Sequence, residues 1–370
     1  MTLHRMTLQL VTVTSALLLV ASGLSAQRGG PPPLVSPEIS DDGGVTFRLR
    51  AADADGVSLT APGDIPAVPF GGGLDMVRNA EGVWEVTLEN VDSGAYRYSF
   101  NVDGVTTLDP SNPLTSQRDG DSISLFYVSG QDFMDTQAVP HGAVAEVTYF
   151  SEALQHHRRM HVYTPPGYQT NGNDYPAFYL LHGAGDSDDS WSTAGRAGFI
   201  LDNLLAAGDA EPMVVVMPHG HTTGEAEFPA EFVTDIKPYI EDNYRVRTDR
   251  GSTALAGLSM GGAQTLEIGV SNLDEYAYLG VFSSGVFGIG DDTSYQDTHE
   301  EALNDSSLKD GLELFWFSTG RDDFLLETTE QTVAMLGDHG FDVVYEESSG
   351  GHTWINWREY LNVFVPKLFQ

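Results

Sequence analysis

The sequence predicts two folds in series: a small β-sandwich, then a mostly parallel β-sheet covered by helices on both faces. Three observations carry this. Between residues 36 and 132, short runs alternate apolar and polar residues and are punctuated by turn signals such as "DADG", "NAEG" and "VDG", the pattern of half-buried antiparallel strands. From residue 140 to the C-terminus, near-continuous apolar strand runs alternate with amphipathic helices, as in a sheet buried on both faces. At one strand–helix junction a serine stands between glycines, in "AGLSMGG", a shape that projects a hydroxyl above such a sheet.

The elements follow in order. His4 and Arg5 precede the apolar run "LQLVTVTSALLLVASGL", which ends in the small residues "SAQ". This is the layout of a secretory signal peptide over residues 1–26, cut near Ala26, so the mature protein is expected in the periplasm or outside the cell. The alternative, a membrane anchor, is disfavoured because the run is close to the lower length limit for spanning and contains Thr and Ser. A flexible linker over 27–35, with "QRGGPPP", has no core-forming residues. The sandwich strands are "VTFRLR" (45–50), "VWEVTL" (83–88) and "YRYSFNV" (96–102), closing near "SLFYVSG" (124–130). Period-two geometry puts Trp84 with Val86 and Leu88, and Tyr96 with Tyr98, Phe100 and Val102. Such rows suit a core better than an exposed sugar-stacking platform.

In the second domain, "AEVTYFS" and "RMHVYTP" read as an antiparallel pair. The strands "AFYLLHG", "MVVVMPHG", "TALAGLS", "YLGVFSSG", "LELFWFSTG" and "FDVVYEE" follow, with a helix at "AEFVTDIKPYIEDNY" and a closing helix from Trp354 to Leu368. In that last helix Trp354, Trp357, Leu361, Phe364 and Leu368 step by three and four, an apolar stripe turned toward a core.

Composition narrows the function. Asp and Glu number 53 against 18 Lys and Arg, a formal net charge of −35, and the lysines are Lys237, Lys309 and Lys367. Such a field argues against nucleic acid and anionic membrane as partners. It also leads us to expect a salt-rich habitat, where self-repulsion is screened. The chain has no cysteine, which excludes disulfides, thiol nucleophiles and thiolate metal sites. Neither repeats nor heptads suggest assembly, and the oligomeric state is left open.

Gly257-Leu258-Ser259-Met260-Gly261 fits G-x-S-x-G between a strand and a helix. A strained turn there exposes the hydroxyl, and bulky flanks would collide with the adjoining elements. The helix start also aims backbone N–H groups at developing negative charge. A serine needs a base, and the base an orienting acid, in the chain order serine, acid, histidine. His339 ends a helix in "GDHGF", and His299 precedes the strand that must carry the acid. His352, in the glycine loop "SGGHTW" before the final helix, is the expected base. The acid is expected in "GRDDF", where Asp322 and Asp323 are both candidates. The loop "LLHGAGDSDDSW" supplies the second oxyanion donor, so the expected donors are the N–H groups of Met260 and Ala184. His182 is read as shaping that loop. His219 and His221 in "PHGH" lack a carboxylate at ligand spacing, which argues against a metal.

With those residues in view, "YLLHGAG", "VVVMPHG", "YIEDNYRV", "ALAGLSMGG", "STGRDDFL" and "GGHTWINWREYL" together resemble the esterase-D-type α/β-hydrolases. The nearest group is carbohydrate esterase family 1, the feruloyl and acetylxylan esterases. The resemblance runs from Ala145 to the C-terminus and implies an α/β-hydrolase fold and a serine carboxylesterase requiring no metal or organic cofactor. The family's acid is the last residue of G-x-x-D, which selects Asp323, and its nucleophile and base fall on Ser259 and His352. It departs at His219-Gly220, where many relatives carry Asn-Gly. The front domain resembles the early-set, immunoglobulin-like module related to the glycogen-binding family 48. The implied substrate is an esterified plant polysaccharide or oligosaccharide, with feruloyl or acetyl groups on xylan. Two other readings are a siderophore trilactone esterase and a non-catalytic carbohydrate-binding protein.

Overall fold

In this computed structural model the structure describes residues 33–40, 43–224, 226–287, 289 and 294–370. The signal-peptide segment 1–26 and most of the 27–35 linker lie outside the described residues. Residues Leu34–Gln370 form one compact unit.

The first part is a pair of antiparallel sheets. One orders its strands Glu38–Ile39, Val45–Arg50, Val83–Leu88, Val77–Arg78. The other orders Leu74–Asp75, Val57–Thr60, Gly94–Val102, Ser122–Val128, Thr115–Gln117, with Val105–Thr107 also paired to Gly94–Val102. Alternation decides what lies between them: Phe47, Leu49, Trp84, Tyr96, Tyr98, Phe100 and Phe126 fill the core. The Trp84 indole N–H donates to the Ala51 carbonyl at 2.8 Å. These aromatic rows are therefore packing residues and offer no flat face to a sugar.

The second part is an eight-stranded sheet. Its strands are β1 (Ala143–Ser151), β2 (His156–Thr164), β3 (Ala177–Leu181), β4 (Val214–Pro218), β5 (Thr253–Leu258), β6 (Tyr278–Phe282), β7 (Leu314–Gly320) and β8 (Val343–Ser348), in the order β1-β2-β4-β3-β5-β6-β7-β8. β1 and β2 are antiparallel to each other, as are β2 and β4, and every other pairing is parallel. The four principal helices are α1 (Ala197–Ala207), α2 (Met260–Ser271), α3 (Leu326–Asp338) and α4 (Trp354–Phe364). The pleat sorts neighbours to opposite faces. Phe315 and Phe317 join one core with Leu266 of α2 and Leu336 of α3, while Trp316 joins the other with Ile200 of α1 and Phe364 of α4. The closing stripe Trp354, Trp357, Leu361, Phe364 and Leu368 is buried throughout, although Val365–Lys367 winds as a 3-10 turn.

The helix expected at "AEFVTDIKPYIEDNY" is interrupted. Glu227–Glu231 and Lys237–Asn243 are α-helical, but Phe232–Ile236 is a π-turn. Pro238 has no N–H to give the preceding turn, so the ladder slips by one residue instead.

Buried polar contacts join the sandwich to the sheet. The Arg97 guanidinium lies 2.6 Å from Asp64 of the sandwich and 2.6 Å from Asp186, in the loop after β3. Arg358 of α4 donates to the carbonyls of Ala95 and Ala194 at 3.1 and 2.9 Å. The Gln117 N–H reaches both carboxylate oxygens of Asp189 at 3.0 and 2.9 Å, and the hydroxyls of Ser116 and Thr193 are 2.7 Å apart. Charges this deeply buried demand partners, and removing one leaves the other uncompensated. The strand Thr115–Gln117 is thereby fixed to the loop that runs from β3 to α1.

Candidate active site

Every side chain of the site stands at the carboxyl end of a parallel strand, the edge where open α/β sheets place their ligands. Ser259 follows β5 and opens α2 with φ 51° and ψ −117°, a conformation that costs a non-glycine residue on the order of 1–3 kcal/mol. Its N–H donates to the Phe282 carbonyl at 2.9 Å, which pins the turn to β6. The flanking glycines are sterically required. A Cβ on Gly257 would lie 2.3 Å from the carbonyl of Gly261, and one on Gly261 would lie 2.5 Å from the His182 carbonyl oxygen.

The structure brings the three predicted side chains together. His352 Nε2 is 3.0 Å from Ser259 Oγ, and His352 Nδ1 is 3.0 Å from both carboxylate oxygens of Asp323. Asp323 is buried, and the alternative acid, Asp322, is exposed. Two backbone bonds hold the acid loop against the histidine loop: the N–H of Arg321 to Ser348 and that of Asp322 to Gly350, each at 2.9 Å. Burial by itself would raise the Asp323 carboxyl. Hydrogen bonding and charge from His352, the Leu325 N–H and the Ser283 hydroxyl outweigh it and hold the group below its ordinary value. His339 lies at the end of α3, toward Asn304 and Gln296.

Of two further positions in this array, Ser283 went unread in the sequence and Trp357 was read only as a core residue. Ser283 sits just past β6 with φ 50°, fully buried, and accepts from the Trp357 indole at 3.0 Å, with its hydroxyl helping to hold the Asp323 carboxyl down. The Trp357 ring also meets His352 edge-on, centroids 5.0 Å apart. The one local signal was a "SS" pair closing a strand, which is common in loops.

The loop after β3 approaches the serine closely. A Cβ on Gly183 would fall 3.3 Å from the Ser259 Cβ. Ala184 is exposed next to it, and Met260 is the first residue of α2, where N–H groups have no intrahelical acceptor. His182 is fully enclosed. Its Nδ1 bonds the Gly183 carbonyl at 2.9 Å and its Nε2 accepts from the Gly220 N–H at 2.9 Å, so the ring is neutral. Burial lowers its pKa to about 4, and burial likewise lowers that of His219 to about 4. The rings of His182, His219 and His221 cluster with centroids 5.2–5.6 Å apart. Among the described residues, no three His, Asp or Glu side chains are arranged to hold a metal ion.

A base in contact with a hydroxyl on one side and a buried carboxylate on the other can remove the hydroxyl proton and support an acyl intermediate. Comparison with known proteins agrees in kind. The family model described as "Putative esterase" matches residues 151–368. The chain belongs to this esterase family. An endo-1,4-beta-xylanase/feruloyl esterase of Xylanibacter ruminicola is 30% identical over 354 residues, covering 90% of this chain and 46% of the relative. The esterase thus spans less than half of that relative's length. Among solved structures, a ferulic acid esterase is 26% identical, with a TM-score of 0.54, covering 61% of this chain and 97% of its own. The enterobactin esterase of Shigella flexneri shares the fold at 19% identity, with a TM-score of 0.63, covering 88% of this chain and 93% of its own.

Proposed function

We propose that the chain is an exported serine carboxylesterase that removes feruloyl or acetyl groups from xylan-type carbohydrate. The observation that carries the chemistry is the unbroken contact from Ser259 Oγ through His352 to Asp323. His352 Nε2 takes the Ser259 proton as Oγ attacks the ester carbonyl. Asp323 fixes the tautomer and stabilises the imidazolium. The N–H groups of Met260 and Ala184 receive the oxyanion. The sugar hydroxyl leaves with the proton from His352, and water activated by the same nitrogen cleaves the acyl-enzyme. Support for an aromatic acyl group comes from Phe324, which is 75% exposed with its ring 4.4 Å from His352. Export is supported by the N-terminal apolar run that follows His4 and Arg5 and ends in small residues.

A siderophore trilactone esterase is the second reading. It is favoured by the coverage of 88% of the chain by the enterobactin esterase fold. Methyl ferulate, acetylated xylan and ferric enterobactin assayed side by side decide between them. Turnover confined to ferric enterobactin would reject the carbohydrate reading. Ser259→Ala should lower kcat by roughly four or more orders of magnitude, and near-normal turnover in that variant would reject the mechanism.

A further inference from the structure

The chain carries a net charge of −35, yet one cavity of about 500 Å³ is lined by Arg118, Arg158, Arg159, His156, His157 and His219. Three of the 18 Lys and Arg residues thus converge on a single concave surface of an acidic protein. A guanidinium left without a carboxylate on such a surface is a natural anchor for an anionic group.

Most of that charge is already committed. Arg158 pairs with Glu231 at 3.0 Å, and Arg159 pairs with Asp188 at 2.6 Å and Glu146 at 3.5 Å. Asp188 is buried against Arg159 and His161, and Asp121 is exposed at the rim. Arg118 differs: among the described residues no carboxylate lies within ion-pair distance of it, and its Nε reaches only the Gly185 carbonyl at 3.4 Å. It projects from the sandwich, directly after the strand bolted to Asp189 and Thr193. A Cβ on Gly185 would lie 3.7 Å from Arg118 Nη2, and one on Gly183 would lie 3.3 Å from the Ser259 Cβ. Two Cα steps separate those glycines, so the guanidinium stands within ~18 Å of the serine.

We propose that this cavity is a subsite for a carboxylate-bearing sugar of the substrate, a uronic acid branch near the esterified residue, with Arg118 pairing its carboxylate. The proposal rests on the carbohydrate-esterase reading, and it makes the sandwich a wall of the substrate cleft. A planar guanidinium suits a carboxylate through paired hydrogen bonds.

Two measurements test it. The first compares kcat/KM for acetylated xylo-oligosaccharides bearing a glucuronic acid branch with kcat/KM for the same oligosaccharides after reduction of the carboxyl to an alcohol. The ratio should favour the acid form, fall about tenfold in Arg118→Gln, and be partly restored in Arg118→Lys. The second measures calorimetric binding of the unesterified acidic and reduced oligosaccharides, with no turnover required. The acid form should bind more tightly, the preference should shrink at high salt, and Arg118→Gln should abolish it. Equal binding of the two forms, or a preference that survives Arg118→Gln, overturns the proposal. Absence of hydrolysis on every ester with the binding preference intact would instead overturn the esterase reading and leave Arg118 as an anion-binding residue.

Discussion

At the residue scale, the backbone of Ser259 is a measurable feature of the site. Its φ of 51° with ψ −117° is strained for any side chain, and glycine adopts positive φ freely. Ser259→Gly should therefore be more stable than Ser259→Ala by about 1 kcal/mol, read from urea midpoints, although both lose the nucleophile. Equal midpoints would mean that the turn stores no strain. Ser283 acts on the reaction through Asp323. Removing its hydroxyl takes a stabilising group from beside a buried carboxylate, so the Asp323 pKa rises. Ser283→Ala should lower kcat by up to about tenfold with KM little changed, and activity should begin to fail at a higher pH on the acid side. Trp357→Phe, which removes the donor that orients Ser283, should shift the profile the same way. An unmoved pH profile in both variants would reduce Ser283 to packing.

At the scale of elements, the loop after β3 and the loop after β4 meet through His182. Its neutral ring bridges Gly183 and Gly220, and its pKa is lowered to about 4 by burial. An unfolded chain binds that proton near pH 6.5, so between about pH 6.5 and 4 the unfolded state carries more protons than the folded one. Stability is full above that window and declines as the pH falls through it. The contribution of His182 at full protonation is about 3 kcal/mol. His219 adds to the same window, since its pKa is lowered in the same direction. His182→Asn should flatten the slope of unfolding free energy against pH between 7 and 4. A slope identical to that of the parent protein would mean the imidazole is already charged in the folded state.

At the scale of the whole molecule, the net charge of −35 is a long-range cost on the compact state. The screening length is about 10 Å at 0.1 M salt and about 3 Å at 1 M. The surface repulsion should therefore relax with added salt, while the buried pairs of Arg97 and Arg158 are shielded from it. We predict a Tm at least roughly 5 °C higher in 2 M than in 0.1 M sodium chloride. A flat or falling Tm would remove the basis for a salt-rich habitat. The Arg97 pairs with Asp64 and Asp186 also tie the sandwich to the sheet within the compact unit Leu34–Gln370.

The sequence by itself determined the succession of the eight strands of the second sheet, its mostly parallel character, and the serine and histidine at strand ends. Each of these is a local consequence of apolar period, glycine placement and chain order. Between Asp322 and Asp323 the residues alone left a choice that the family resemblance made in favour of Asp323, the one the structure buries against His352. The π-turn before Lys237 was concealed because an apolar period does not register a slipped ladder. Ser283 and Arg118 were decided only by tertiary structure. Each acts on a group far along the chain, Ser283 on Asp323 and Arg118 on the loop carrying Gly185, and pattern along a sequence does not encode which distant side chains come into contact.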